Sequence, residues 1–414
     1  MSFEPIYDYI SEKNIETINP GAPKHDALLD AVLLPKHSVI EMNKVTDASK
    51  NVLQFLCFNS PYGGSFFQSL LMLEQRLNKE DIDMVYVFHM DTSHYDWIQD
   101  LIKQGKKIYF LSGKFYKDIF TVKKIIARHH IKYIHAHFAG TRQFSLFKIA
   151  KLYYKDLTII RHLRNHDKPR GFVGEGLRKT LNHVDLYIGC SESVAIEYRK
   201  NFKLKNGKVT YVTNAIDFNR LNKYEVLHRG DFYISSSTTV FLMFGFDYYR
   251  KGVDIVLEAM ENLIKQDHDV CLLLSLSVNR DMIELKIKDR FGEIPEWLRI
   301  LKPRDDIASY YNLSDYFISA AREEGFCNAL VEAAYCERPI ISSNIPGPQT
   351  LNIPHTYLFE SEDVAGLQDA MLSLISLDRD KKKQITTDQK AYVEKAFDLN
   401  LWAQQIKGIY QNLN

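Results

Sequence analysis

Two carboxylates eight positions apart, Glu324 and Glu332, flank a glycine loop in the segment Ala321-Arg-Glu-Glu-Gly-Phe-Cys-Asn-Ala-Leu-Val-Glu-Ala-Ala-Tyr-Cys336. The segment reads as a strand end, a loop and a helix start. A helix beginning near Asn328 offers backbone N–H groups without intrahelical partners and the positive end of its dipole, which suits a phosphate. Gly325 lets the backbone come close to a ligand. Carboxylates are strong acceptors for sugar hydroxyls, so Glu324 at the strand end and Glu332 on the second helical turn can serve one cleft. Against a plain surface role for Glu332 stand its apolar neighbours Leu330, Val331, Ala333, Ala334 and Tyr335. So apolar a helix is buried, and a buried glutamate needs a partner.

Histidines form a second group. Ile134-His-Ala-His137 places two imidazoles at strand spacing, but with no third ligand nearby they read as packing rather than as a metal site. Arg161-His-Leu-Arg-Asn-His166 offers His162 at the end of a strand and His166 in the loop after it. Asp81 and Asp83 precede a strand, at the sheet edge away from the ligand-binding ends. No metal is expected.

The elements that must position these residues follow from the hydrophobic pattern. Short apolar and β-branched runs alternate with helical patterns from Asn51 onward, which predicts βα units and parallel sheets. Val52–Phe58, Met84–His89, Lys107–Leu111, Tyr133–His137, Thr158–His162, Leu186–Cys190 and Val209–Thr213 form one series of strands. Thr239–Gly245, Val270–Ser275, Leu298–Leu301, Tyr316–Ser319, Pro339–Ser342 and Tyr357–Phe359 form another. The expected organisation is a first domain over residues 1–218, with 1–45 an appendage of unassigned structure, a linker over 219–237 and a second domain over 238–392. In the tail, 393–414, Phe397, Leu399, Trp402, Ile406, Ile409, Tyr410 and Leu413 mark an amphipathic helix that crosses back to the first domain.

Glu324-x7-Glu332 within E-G-F-x-N-x-x-x-E-A, followed by Arg338-Pro-Ile-Ile-Ser-Ser-Asn-Ile-Pro-Gly347, resembles the donor-site signature of the retaining GT-B glycosyltransferases of family 4. Val212-Thr-Asn-Ala-Ile-Asp217 and Lys251-Gly-Val-Asp254 resemble two further family segments in the expected order, and the likeness runs from about Val52 to Leu413. It implies an α/β fold of GT-B type, two Rossmann-like domains facing across a cleft. It implies that Glu324 contacts the donor sugar, Glu332 the ribose and Lys251 the diphosphate, while the amides of Gly325, Phe326 and Cys327 support sugar and phosphate. The family's arginine before the K-G element is absent, since Phe246 follows Gly245, and Arg250 is the candidate replacement, with an exposed loop charge as the alternative. Ser60-Pro-Tyr-Gly-Gly-Ser65 resembles the family's glycine loop, which assigns Gly63 and Gly64 to the donor side. The family's histidine near the transferred sugar corresponds to His162 or His166, or is replaced by Arg164-Asn165. No cofactor is implied, and the donor is a nucleoside-diphosphate sugar, a UDP-sugar by preference.

Composition agrees with a folded two-domain protein: 414 residues, 45% hydrophobic, 25% charged, and five scattered cysteines without metal spacing. The chain carries 31 basic against 23 acidic side chains up to Asp217 and 22 against 29 beyond it, so the halves bear +8 and −7. Much of the excess lies between Lys103 and Lys132, either a solvated helix face or a surface for anionic lipid or a phosphate-bearing acceptor. Nucleic acid is not an expected partner, because the overall balance is neutral and no recognition motif is present. The expected activity is transfer of a hexosyl or N-acetylhexosaminyl unit to a glycan or lipid-linked acceptor, in the cytoplasm or on the inner membrane face. The alternatives are a GT-B-like subunit with weak catalysis that binds glycan or a partner transferase, and an epimerase or phosphorylase on the same fold.

Overall fold

The computed structural model describes residues 50–60, 63–166, 183–205 and 207–413. The expected appendage over residues 1–45 lies outside them, as do Pro61 and Tyr62 of the glycine loop. The first sheet comprises β1 (Asn51–Leu56), β2 (Met84–His89), β3 (Ile108–Leu111), β4 (Ile131–His137), β5 (Thr158–Leu163), β6 (Leu186–Gly189) and β7 (Val209–Tyr211), in the order β3-β2-β1-β4-β5-β6-β7. The second comprises β8 (Thr239–Phe244), β9 (Val270–Ser275), β10 (Leu298–Leu301), β11 (Tyr316–Ser319), β12 (Ile340–Ser343) and β13 (Tyr357–Phe359), in the order β10-β9-β8-β11-β12-β13. All pairings are parallel. Strand order reverses between β1 and β4 and again between β8 and β11, and such switch points open ligand crevices at the carboxyl ends of the strands.

Because both faces of each sheet are covered, the strands are apolar on both sides. On β1, Val52 and Leu56 face a cluster with helices α1 (Gly64–Asn78) and α2 (Asp96–Lys103). Leu53 and Phe55 face the opposite cluster, with α3 (Phe115–Arg128), α4 (Thr141–Tyr153) and α5 (Glu192–Phe202). That second cluster runs on into one face of the other sheet, taking in Val240 and Leu242 of β8 and Phe326. The outer face of the second sheet, with Phe241 and Met243, packs on α6 (Val253–Lys265) and α7 (Arg280–Phe291).

The rest of the chain supplies α8 (Ala308–Leu313), α9 (Asn328–Tyr335), α10 (Pro346–Gln349), α11 (Val364–Ile375), α12 (Arg379–Ala396) and α13 (Leu399–Asn412). The amphipathic tail is thus two helices, parted at Phe397, with the Asp398 carboxylate accepting from Leu401 N to cap the second. Trp402, Ile406 and Tyr410 of α13 are buried with Leu70, Leu73 and Tyr133 of the first half. Between the sheets, Phe218–Asn222 and Arg229–Phe232 form short 3-10 turns, and Leu221 is buried. Among the described residues no helix is long and apolar enough to cross a membrane.

Candidate active site

Loops that follow strand ends of both sheets converge. The loop after β8 ends in Lys251-Gly252, and Gly252 takes φ +69 with its Cα pressed against the Ala320 carbonyl, a conformation and proximity that only glycine permits. This close approach carries the Lys251 ammonium to the loop after β11, where it donates to Glu324 Oε2. Arg250 Nη1 lies 3.9 Å from the same oxygen. Phe246, which follows Gly245, sits beneath both cations, 5.0 Å from the Arg250 guanidinium and 4.8 Å from the Lys251 nitrogen. It contributes a π face to the pair instead of a third charge.

Gly325 is required by contact with the first half. A Cβ there would stand 2.6 Å from the Arg164 carbonyl, and the Gly325 carbonyl accepts from Ser191 Oγ at 2.6 Å. Cys327 then adopts φ +68 and precedes α9 without a side-chain cap. His166 Nε2 lies 3.1 Å from the Glu324 carbonyl, and its Nδ1 lies 2.5 Å from Glu197 Oε2. One turn further, Glu332 is 5% exposed. Its Oε1 accepts from Ser65 Oγ at 2.9 Å and from Arg220, and its Oε2 accepts from the Tyr311 hydroxyl at 3.3 Å. Ser65 opens α1 beside Gly64, which brings the glycine loop to α9; Gly63 packs against the Trp97 ring. A pocket of about 170 Å³ lies between the halves, lined by Phe66, Phe138, Arg164 and Asn214 on one side and Glu324, Phe326, Cys327 and Asn328 on the other.

Residues 238–377 match the family described as glycosyl transferases group 1, and residues 92–220 match glycosyltransferase family 4. The chain belongs to these glycosyltransferases. An uncharacterized glycosyltransferase of Methanocaldococcus jannaschii is 23% identical over 303 residues, 70% of this chain and 78% of the relative. A capsular polysaccharide biosynthesis glycosyltransferase of Staphylococcus aureus is 22% identical over 66% of each chain. The crystal structure of Anabaena HepE in complex with UDP and glucose superposes with a TM-score of 0.70 at 18% identity, covering 87% of this chain and 99% of that one. The likeness is one of fold: two Rossmann-like halves of GT-B type.

Within the glycosyltransferase, Glu324, Lys251, Arg250 and His166 meet, and Phe326, Cys327 and Asn328 border the pocket, while Gly325 packs on the Arg164 carbonyl and Ser191. His162 does not join them. It is buried beside His135 and His137, with one ring nitrogen of each within 4.8 Å of the others. This corrects the reading that the His135–His137 pair has no third imidazole nearby: His162 is the register partner of His137 on the neighbouring strand. The rings stack rather than converge, with centroids 4.4–5.2 Å apart. Burial holds His135 down at about 3 and pushes His137 and His162 well below the usual imidazole range, so all three are neutral at physiological pH.

Of the residues that hold Glu332, Ser65 ends the glycine loop that the sequence marks, whereas Arg220 and Tyr311 carry no mark in the sequence. A buried carboxylate calls for a cation, but Arg220 lies 112 positions away. Glu197 is likewise found only in the fold, whereas Asn214 stands in the segment Val212–Asp217 that the sequence marks.

Proposed function

We propose that this glycosyltransferase moves a hexosyl or N-acetylhexosaminyl unit from a nucleoside-diphosphate sugar, preferably a UDP-sugar, to a glycan or lipid-linked acceptor with retention of configuration. The observation that carries the reading is the meeting of Glu324 with Lys251 and Arg250 at the strand ends, directly before the uncapped start of α9. As the glycosidic bond breaks, negative charge builds on the departing diphosphate. A cation and first-turn amides held in place beforehand stabilise that charge without reorganisation. Glu324 accepts from sugar hydroxyls, Glu332 from the ribose, and the leaving phosphate takes the proton of the acceptor hydroxyl on the same face. Residues 238–392 form the donor half and 1–218 the acceptor half, and closure about 219–237 keeps water from the donor.

The polysaccharide role named for the staphylococcal relative supports a cell-surface acceptor. A basic face on α3 supports contact with an anionic membrane surface: Lys117, Lys124 and Arg128 are exposed beside Tyr116 and Phe120, which are 60% and 62% exposed. The deciding experiment is thermal stabilisation by a panel of nucleoside diphosphates and their sugars, repeated with Glu332→Ala and Lys251→Ala. A base-selective shift lost in both variants is expected, since a ligand of the folded state raises its stability by mass action. A flat panel for the wild type would leave the non-catalytic subunit as the better account.

A further inference from the structure

Arg164 differs from the other cations around the cleft. Lys251 and Arg250 face Glu324, Arg220 faces Glu332, and Arg322 faces Asp254 and Glu362. Arg164 has no carboxylate within ion-pair distance among the described residues, although its guanidinium lines the pocket. Its Nη1 donates to Asn214 Oδ1 at 2.7 Å and its Nη2 to His137 Nδ1 at 3.3 Å. The Phe66 ring lies 4.5 Å below it, and its buried Nε has no partner. Burial draws its pKa down to about 10, which still leaves it charged at neutral pH.

Its acceptors are held by a chain whose direction is determined, because arginine can only donate. His137 Nδ1 must accept, so neutral His137 carries its proton on Nε2 and donates to Gln54 Oε1, 2.9 Å away. Gln54 Nε2 donates to the Tyr410 hydroxyl at 3.1 Å, leaving that hydroxyl to donate to His135 Nδ1 at 2.5 Å. His135 Nε2 then donates to His162 Nδ1 at 3.1 Å. Arg164 is thereby fixed by neutral groups that do not cancel its charge. Opposite it across the pocket, α9 begins with no acidic residue in its first turn and no side-chain cap, and Glu324 is already matched by Lys251 and Arg250. Among the described residues that line the pocket, the unbalanced charge is positive.

We propose that Arg164 is a ligand-binding residue that holds a phosphate group in this pocket, between Phe66 and the start of α9. The inference rests on the donor-site reading for its place in the reaction, and the phosphate belongs either to the donor diphosphate or to a phosphate-bearing acceptor. Calorimetric titration of the full chain with UDP, uridine, inorganic pyrophosphate and, on the UDP-saturated protein, glycerol 3-phosphate tests it. In Arg164→Gln, a donor source lowers affinity for UDP and pyrophosphate about 10- to 100-fold and leaves uridine unchanged. An acceptor source leaves UDP unchanged and abolishes glycerol 3-phosphate binding. Arg164→Lys retains part of the lost affinity, as a point charge without the planar fork.

Unchanged affinity for UDP, pyrophosphate and glycerol 3-phosphate alike overturns the assignment. Should Arg164→Gln fail to fold, the Arg164 Nε–H resonance of the wild-type protein decides: it shifts on addition of pyrophosphate or of glycerol 3-phosphate, and indifference to both sinks the proposal. If the wild type binds pyrophosphate through Arg164 but not UDP, the nucleotide-sugar reading fails while the anion site stands.

Discussion

Glu332 and Glu324 are balanced in different ways, and substitutions should separate them. Both Glu332 oxygens are occupied by groups of this chain, so Glu332→Ala leaves the Ser65 hydroxyl and the Arg220 guanidinium without this acceptor, while the Tyr311 hydroxyl keeps the Ala329 carbonyl at 2.9 Å. Arg220 keeps 21% of its side chain in water, which limits the loss to about 1–3 kcal/mol, readable by urea unfolding at neutral pH. Glu332→Gln, which keeps one oxygen acceptor, is expected to cost less. At Glu324 the Arg250 guanidinium remains 3.9 Å away when Lys251 is removed. Lys251→Ala is therefore expected to cost only about 1 kcal/mol of stability, while turnover falls about 10²- to 10³-fold through loss of charge stabilisation on the leaving diphosphate. A Lys251→Ala enzyme with wild-type turnover would remove that residue from the chemistry.

At the scale of elements, α13 ties the carboxyl-terminal tail to the first sheet through both packing and polar contacts. Ile406 is fully buried against it, so Ile406→Ala is expected to cost about 2–5 kcal/mol, seen as a lower urea midpoint. Tyr410 links Gln54 on β1 to His135 on β4. The one-way chain assigns the Nε2–H tautomer to His135, His137 and His162, which nitrogen chemical shifts will report. Tyr410→Phe should disturb His135 first.

The same cluster sets a pH dependence. Each of the three imidazoles has its folded pKa depressed by burial, so the unfolded state binds more protons once the pH drops below about 6.5. Stability is full above that value and falls as pH declines toward about 3, the folded value for His135. The slope approaches about 1.4 kcal/mol per pH unit for each histidine. Urea midpoints at pH 7 and pH 5 measure it, and a protein equally stable at both would show that the cluster is protonated in the fold.

For the whole molecule, charge is divided between halves of +8 and −7, and the excess on the first half includes the exposed face of α3. Binding to vesicles containing anionic lipid is expected at low salt and should weaken as ionic strength rises, because exposed charges are screened over about 10 Å at 0.1 M. Sedimentation with such vesicles checks it: retention at high salt, or no binding at low salt, argues against an electrostatic surface.

Both sheets were legible in the chain because apolar runs of strand length alternate with helical periodicity whatever their partners. Val270–Ser275, Leu298–Leu301, Tyr316–Ser319 and Tyr357–Phe359 hold their expected bounds, whereas β1 stops at Leu56 and β7 at Tyr211, short of the apolar runs that suggested them. Hydrophobicity marks what is buried, and a strand ends where its neighbour's ladder ends. The motif around Glu324 was legible for a similar reason, since strand, loop and helix start are consecutive and their chemistry is local. Tertiary structure alone decided that Arg220 meets Glu332, that His162 completes a trio with His135 and His137, and that Arg164 has no carboxylate partner among the described residues. Those pairings depend on register between parallel strands and on the packing of one half against the other, which bring together residues whose separation along the chain carries no trace of their contact.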